Sequence, residues 1–283
     1  MPASLPPALE LSLDLLRCPT CRTRRLRPDR GALRCPVGHT FDIARHGYAG
    51  LLTGIRATSG DDAAMAQARD RFLSTDTYTP IRKVVAGLAA DAVSEQTTVV
   101  DVGCGTGYYL AGVLDQLPGA RGLGLDTSVR ALRSAARAHE RAAAVAWDVF
   151  RPVPLASGVA DVVLDVFAPR NPAEFHRVLR PTGRLIVVRP SARHLAELRG
   201  RVPAMVTIDP AKEQRLHRAL DPFFKAAVTE QVEYTMLLTR QEALDLVGMT
   251  PSARHLSAAD LDDDAFLPDQ GTVSVLATAY QPR

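Results

Sequence analysis

Three cysteines and a histidine near the amino terminus have the spacing of a metal-binding cluster. Cys18 and Cys21 are three positions apart, and Cys35 and His39 follow after a spacer of thirteen residues. Two such pairs, each on a tight turn, can place four donor atoms tetrahedrally around zinc. Four protein ligands leave no open coordination position, so a zinc ion here is predicted to be structural. The alternative is a set of unrelated thiols beside a packed histidine.

A second group of residues forms a glycine-rich turn between an apolar strand and a helix. The strand pattern begins at Thr97, and the glycines of the turn are Gly103, Gly105 and Gly107. The helical pattern that follows places its apolar residues on one face, namely Leu110, Val113, Leu114 and Leu117. Glycines at such a turn allow a ligand to approach the backbone closely. A glycine-rich turn alone is also typical of phosphate and dinucleotide sites.

Three carboxylates near this turn narrow its interpretation. Asp101 precedes the first glycine, which resembles the glycine loop of S-adenosylmethionine-dependent methyltransferases. Asp126 ends the next short strand, where a carboxylate can hydrogen-bond both ribose hydroxyls of a nucleoside. Asp148 follows a third apolar run, Ala142 to Ala146, where such enzymes hold adenine. Singly, Asp126 and Asp148 are ordinary loop acids, but in this order they predict an S-adenosylmethionine site.

Strand and helix patterns alternate beyond the glycine-rich turn. The stretch from Val159 to Phe167 is almost continuously apolar, which is typical of a buried parallel strand. A helical pattern from Pro172 to Leu179 and a strand from Arg184 to Val188 follow. Further strands are predicted at 228–238 and 271–281, with a helix near 240–248 between them. The alternation predicts an α/β fold, a doubly wound sheet with helices on both faces.

The charged residues are unevenly distributed. The 283 residues include 34 basic and 31 acidic side chains, and only three of the basic ones are lysines. Residues 1–56 carry nine arginines against four acids, a balance of +5, which leaves 25 basic and 27 acidic side chains for the rest. An arginine-rich module on a slightly acidic body favours a polyanionic partner. The candidate phosphate contacts are Arg22, Arg24, Arg25 and Arg27. The alternative is a solvated face that reflects GC-rich codons.

The order of these motifs resembles one family, the large-subunit (23S) rRNA guanine-N1 methyltransferases. Within it, the chain is most similar to the antibiotic-producer branch that includes the tylosin and mycinamicin resistance methyltransferases. The resemblance covers roughly residues 14–250. Beyond the zinc ligands, it rests on His39–Asp42, Gly47-Tyr48, Met65–Arg69, Phe72-Leu73, Tyr78–Pro80, Phe167–Pro169, Pro190–Leu195 and Glu197-Leu198.

The resemblance implies a fold, two cofactors and a set of contacts. The fold is a seven-stranded class I methyltransferase (Rossmann-like) sheet with a small zinc-binding module, and the cofactors are S-adenosylmethionine and structural zinc. The implied cofactor contacts are Tyr78, Gly105, Thr106 and His194. Relatives often have Gly-His before that tyrosine, where this chain has Asp76-Thr77.

The resemblance also implies a partner. It is a hairpin loop in domain II of 23S rRNA, methylated at one of two neighbouring guanines, 745 or 748. The actinobacterial style of composition favours 748, and with it macrolide resistance. A homodimer is implied as well.

Three segments are predicted along the chain. They are a zinc-binding RNA-recognition module at 1–56, a helical connector at 57–95 and the methyltransferase domain at 96–283. No apolar run approaches the roughly 20 residues that cross a bilayer, and the start of the chain does not resemble a signal peptide. A cytoplasmic location is therefore expected, where disulfides are rare.

The residues that would act on the acceptor are the least determined. N1 of neutral guanine carries a proton, and the sequence contains no compelling base. Asp165 is a candidate base, and the alternative is an ordinary structural carboxylate. Phe167 is a candidate for stacking on an extruded base, and the alternative is packing in the core.

Two other functions stay open at this point. One is a small-molecule methyltransferase of antibiotic biosynthesis, for which the zinc module would be superfluous. The other is a non-catalytic S-adenosylmethionine-binding protein.

Overall fold

The apolar runs of the sequence form the strands of one large sheet. The computed structural model describes residues 5–22, 25–52, 54, 60–91, 96–202, 205, 211–255 and 267–283, with the backbone alone at 211, 212, 251 and 255. The strands of the large sheet are β4 (Ala49–Gly50), β5 (Thr98–Val102), β6 (Arg121–Asp126), β7 (Ala142–Ala146), β8 (Ala160–Val166), β9 (Leu179–Pro190), β10 (Phe224–Leu237) and β11 (Gln270–Pro282). Their order across the sheet is β10-β11-β9-β8-β5-β6-β7-β4.

Most strands of the large sheet are parallel, so their carboxyl ends lie along one side of it. The neighbours from β4 to β9 are all parallel, and β11 alone runs antiparallel to both of its neighbours, β9 and β10. The predicted seven-stranded class I methyltransferase sheet is confirmed, and β4 adds a short eighth strand from the amino-terminal segment. The order reverses between β5 and β8, and ligands of doubly wound sheets bind at the carboxyl ends of the strands beside such a reversal.

Helices cover both faces of the sheet. They are α1 (Pro7–Leu11), α2 (Ala63–Leu73), α3 (Thr79–Ala90), α4 (Tyr108–Gln116), α5 (Val129–Ala135), α6 (Pro172–Val178), α7 (Ala196–Arg201), α8 (Ala211–Leu220) and α9 (Arg240–Gly248). Successive side chains of a strand point to opposite faces, so Val99 belongs to one buried cluster with Phe72 and Ile81, while Val100 belongs to another with Leu9 and Phe175. Apolar burial on both faces explains why β5 and β8 read as continuous apolar runs.

A small antiparallel sheet precedes the large one. It consists of β1 (Arg27–Asp29), β2 (Ala32–Arg34) and β3 (Thr40–Asp42). Arg30 and Gly31 form the two-residue turn between β1 and β2, both with positive φ (46° and 85°), as a tight hairpin with the twist of its strands requires. This hairpin accounts for the thirteen-residue spacer, because it brings the chain back toward the first pair of zinc ligands.

The residues before the zinc ligands pack against the large sheet. Leu15 and Leu16 are fully buried, Leu16 pairs with Leu155, and the backbone N–H of Arg17 donates to the carbonyl of Pro154 at 2.8 Å. The amino-terminal segment is thus attached to the sheet on one side of the zinc ligands by these contacts and on the other by β4. The division at residues 56 and 95 stays a prediction.

Within the described ranges, no helix is both long enough and apolar enough to cross a membrane.

Candidate functional site

The three cysteines and the histidine predicted as zinc ligands converge. Their sulfur and nitrogen atoms all lie within 4.8 Å of one another. The Nδ1 atom of His39 is 3.7, 3.1 and 3.3 Å from the Sγ atoms of Cys18, Cys21 and Cys35, and the Sγ atoms of Cys21 and Cys35 are 3.9 Å apart. A tetrahedral zinc ion with ordinary bond lengths requires separations of about 3.6–3.8 Å between such atoms. The residues therefore fit a closed, structural zinc site.

Local turns place these ligands. The N–H of Gly38 donates to the carbonyl of Cys35 at 2.9 Å, and Gly38 has a φ of 102°, which reverses the chain toward His39. The N–H of Cys21 donates to the Sγ of Cys18 at 3.5 Å, which closes the first turn. Such N–H···S contacts favour the thiolate that zinc requires.

The glycine-rich turn has the conformation that its glycines predict. Gly103, Gly105 and Gly107 have φ values of 74°, 53° and 85°. A Cβ on Gly103 would lie 2.6 Å from the Cβ of Ala168, in the loop after β8, so glycine is required there for close approach as well as for φ. The turn leaves β5 at the reversal in strand order, where a ligand of this fold binds. Thr106, within the turn, is buried.

Asp126 is tied to this turn. Its Oδ2 accepts from the N–H of Gly105 at 2.8 Å, and its Oδ1 accepts from the N–H of Ser128 at 2.7 Å. Burial raises the pKa of Asp126, although both N–H groups oppose that rise. Each carboxylate oxygen keeps a further lone pair that a ribose hydroxyl can occupy.

One buried polar atom beside the turn, the Oδ2 of Asp101, has no hydrogen-bond partner among the described residues. Burial, followed by the negative charges of Asp126 and Asp165, raises the pKa of Asp101 to about 8. An unsatisfied carboxyl group suits a cationic ammonium group, so the surroundings of Asp101 fit the amino acid part of S-adenosylmethionine.

Asp148 is the residue predicted to lie beside the adenine. It follows β7, whose end is held beside β6 because the N–H of Trp147 donates to the carbonyl of Asp126 at 2.9 Å. The Oδ1 of Asp148 accepts from the N–H of Phe150 at 3.0 Å, which orders the loop.

Tyr78 and His194 come together although they are far apart in the sequence. Tyr78 precedes α3 and is buried, its ring lies edge-on to that of Phe72, and its centroid is 6.4 Å from that of His194. The Nδ1 of His194 accepts from the N–H of Ser274 at 3.2 Å. Burial lowers the pKa of His194 to about 4, with a smaller contribution from Arg199. The ring is therefore neutral near pH 7 and carries its proton on Nε2.

Asp76, two residues before Tyr78 and unlike the residue common in relatives, has a structural reason. Asp76 has a φ of 61°, the left-handed conformation that glycine adopts without strain. Its Oδ1 accepts from the hydroxyl of Thr79 at 3.3 Å, a local hydrogen bond of the kind that lets aspartate tolerate this conformation.

Arg69 is a site residue that sequence reasoning missed. A Cβ on Gly105 would lie 3.3 Å from its Cδ, so its side chain borders the glycine-rich turn. Arg69 pairs with Asp61 at 2.6 Å and donates to the carbonyl of Met249 at 2.7 Å. Met65–Arg69 was a segment of the resemblance, but nothing in the sequence shows that α2 lies over this turn.

The two weak catalytic candidates have different surroundings. Asp165 is fully buried and lies 3.4 Å from the Nε of Arg170. Phe167 follows β8 with a φ of 55° and is 38% exposed. Its ring is stacked on that of His194, with centroids 5.9 Å apart and planes at 16°.

Three of the arginines predicted to contact RNA lie around the zinc cluster. Arg22, Arg25 and Arg27 are exposed, and Arg24 lies outside the described residues. Arg27 also lines a groove of about 400 Å³ beside Cys35, together with Arg34 and Val37. This face therefore combines positive charge with a concave surface.

Comparison with known proteins identifies the family. Residues 16–54 match the model described as "RlmA, N-terminal", a zinc ribbon, and residues 99–183 match a methyltransferase domain. The chain is 41% identical to the "23S rRNA (guanine(748)-N(1))-methyltransferase" of Streptomyces fradiae, over 94% of this chain and 96% of the relative. The chain belongs to the 23S rRNA guanine-N1 methyltransferases.

Two further relatives place this methyltransferase within the family. A protein of Micromonospora griseorubida that carries the provisional name of a 23S rRNA guanine-N1 methyltransferase is 46% identical, over 95% of this chain and 98% of its own. YxjB of Bacillus subtilis, with the same provisional name, is 32% identical over 86% of this chain and 88% of its own. The match to the zinc ribbon explains the Cys-His cluster, and the match to the methyltransferase domain covers the glycine-rich turn and Asp126.

Proposed function

We propose that this methyltransferase transfers a methyl group from S-adenosylmethionine to N1 of guanine 748 in 23S rRNA, with guanine 745 as the alternative target. The observation that carries the proposal is the 41% identity, along nearly the whole of both chains, to the Streptomyces fradiae protein named for guanine 748. The convergent zinc ligands and the cofactor crevice support it, because both parts that an RNA-modifying enzyme of this family needs are assembled in one chain.

The cofactor would be held by residues at the carboxyl ends of β5 to β8. Gly103, Gly105 and Gly107 leave room at the backbone, Asp126 would accept from the ribose hydroxyls, and Asp101 would face the ammonium group. Thr106, Asp148, Tyr78 and His194 would complete the contacts. S-adenosylmethionine, when bound, supplies a methyl group that is already activated as a sulfonium. The main contribution of the chain is then to orient guanine N1 toward that methyl group.

The N1 proton of guanine must leave during the reaction. His194 is a poor acceptor for it, because its Nδ1 already accepts from the N–H of Ser274 and its Nε2 carries the proton. Asp165 is buried and paired with Arg170, which favours a structural role over proton transfer. The proposal therefore assigns the rate enhancement to positioning rather than to a strong general base.

Methylation of RNA transcripts tests this function. A domain II hairpin transcript, incubated with the protein and S-adenosylmethionine, is expected to gain a reverse-transcription stop beside guanine 748, since a methyl group on N1 blocks base pairing. A transcript with adenine at 748 should lose the stop, and one with adenine at 745 should keep it. Tight cofactor binding without any stop would instead favour the non-catalytic binding protein.

The finer parts of the proposal concern the cellular context. We infer that the hairpin loop alone is a sufficient substrate, that the protein acts as a homodimer in the cytoplasm, and that methylation reduces macrolide sensitivity. Light scattering of the purified protein tests the dimer. Growth of a sensitive host with and without the gene, on tylosin, tests resistance.

A further inference from the structure

Phe167 occupies a strained position just beyond the carboxyl end of β8. It directly follows β8, and its φ of 55° lies in the left-handed region that bulky side chains avoid. The next residue, Ala168, lies so close to Gly103 that the loop after β8 and the glycine-rich turn are in direct contact. Strained residues persist where the surrounding structure holds them, often at functional sites. The Phe167 ring is thus held beside the turn that would bind the cofactor.

His194 holds this ring on one side. The two rings are nearly parallel, at 16°, and the ring of Tyr109 lies in a T-shaped arrangement with that of Phe167 at a centroid distance of 6.5 Å. The imidazole is itself fixed, because the N–H of Ser274 donates to its Nδ1, and Leu195 beside it has a φ of 56°. The loop after β8 and the loop before α7 therefore meet through the stacked rings of Phe167 and His194.

Part of Phe167 remains accessible. The residue is 38% exposed although the ring of His194 is stacked on it and the ring of Tyr109 lies in a T-shaped arrangement with it. An exposed aromatic face gains by stacking on a base that has left its own stack. Enzymes that modify the Watson–Crick edge of a base require that base to be unpaired and turned outward.

We propose that Phe167, backed by His194, is the platform on which the acceptor guanine stacks while its N1 is methylated. This assignment rests on the proposed function. Stacking would fix the plane of the base and leave its N1 edge free to face the cofactor, which is the orientation that in-line transfer requires. Phe167 would touch the substrate and act by positioning it.

Phe150 is the competing candidate. It is 63% exposed and lies after β7, at the same edge of the sheet. Among the described residues, no ring stacks on it, and its backbone N–H donates to Asp148. An unsupported ring is free to rotate and holds a base plane poorly, which favours Phe167.

A set of substitutions at residue 167 tests the platform. Phe167→Tyr and Phe167→Trp keep an aromatic face, Phe167→Leu keeps apolar bulk, and Phe167→Asn removes the ring but tolerates a left-handed backbone. The measurements are kcat/KM for methylation of the hairpin at saturating S-adenosylmethionine, and the Kd of the cofactor by calorimetry. Phe150→Ala is the matched control.

The platform predicts a loss of about 10- to 100-fold in kcat/KM for the Leu and Asn variants, in the range that base stacking contributes. The Tyr and Trp variants should stay within about threefold of the wild type, as should Phe150→Ala, and the cofactor Kd should change little in all five. Full activity of Phe167→Asn, or a loss in Phe150→Ala instead, would overturn the assignment. If the wild-type protein itself fails to methylate the hairpin, the proposed function fails, and the platform fails with it.

Discussion

The backbone N–H of Gly105 donates to the Oδ2 of Asp126 at 2.8 Å, which joins the glycine-rich turn after β5 to the end of β6. The other oxygen of the same carboxylate accepts from Ser128, at the start of α5. Asp126 thus organises both loops that would border the nucleoside of the cofactor. A single carboxylate shapes the crevice and also offers its remaining lone pairs to a ligand.

Asp126→Ala is expected to weaken S-adenosylmethionine binding by about 1.5–3 kcal/mol, because a charged acceptor is lost and two N–H groups lose their partner. Isothermal titration calorimetry measures the change. The control is Glu140→Ala, which removes an exposed acid after α5 and should leave the affinity unchanged. Equal affinities for the wild type and Asp126→Ala would place the cofactor elsewhere.

Asp101 should make the stability of the cofactor-free protein depend on pH. Its pKa of about 8 in the folded state exceeds that of the unfolded chain, near 3.8, so between these values the folded state binds a proton that the unfolded state has released. The free energy of unfolding therefore falls as pH rises through this window. Between pH 6 and pH 8 this contribution amounts to about 2–3 kcal/mol.

Asp101→Asn tests this dependence, since asparagine has nearly the same shape and does not titrate. Urea unfolding at pH 6 and pH 8 should show that the variant gains stability relative to the wild type as pH increases. A stability difference that is the same at both values would mean that Asp101 is ionised throughout.

Cys21→Ser is expected to reduce the zinc content from about one ion per chain to nearly none, because the closed site has only four ligands. The variant should also unfold at a lower temperature, since metal binding supplies much of the folding free energy of such a small module. Elemental analysis and thermal unfolding measure the two effects. Cys104→Ala is the matched control, because Cys104 lies in the glycine-rich turn, and it should retain its zinc. Retention of a full zinc complement by Cys21→Ser would contradict the cluster.

Neutralising Arg22, Arg25 and Arg27 is expected to weaken hairpin RNA binding without changing cofactor affinity. Affinity falls with rising salt, so the slope of log affinity against log salt is negative. Each phosphate contact that is lost should make this slope less steep by about 0.7–0.9. Filter binding across a salt series measures the slope. The control neutralises Arg218, Lys225 and Arg283, three exposed cations. They lie in or beside α8, β10 and β11, and β10 is the outer strand at the end of the sheet away from β4. The same slope in both triple variants would make the zinc-side arginines a solvated face.

Much of the site could be predicted because its signals are local. The zinc ligands lie within 22 residues, the glycines of the cofactor turn occupy alternate positions, and Asp126 and Asp148 each follow an apolar strand. Parallel strands bring their carboxyl ends to one edge, so these motifs had to meet once the strands were recognised. The fold class followed from the same alternation of strand and helix.

Other relationships depended on packing between distant segments. The amino acid sequence does not show that Arg69 borders Gly105, that the residues before Cys18 pack on the sheet, or that His194 backs the ring of Phe167. These contacts join elements whose mutual orientation is set by the shape of two buried cores, and the left-handed conformation of Phe167 is imposed by that packing against its own local preference. The sequence by itself determined which residues bind zinc and which segments form strands, because both are encoded in short patterns. Only the tertiary structure decided which side chains surround Phe167 and the glycine-rich turn, because those contacts depend on long-range packing.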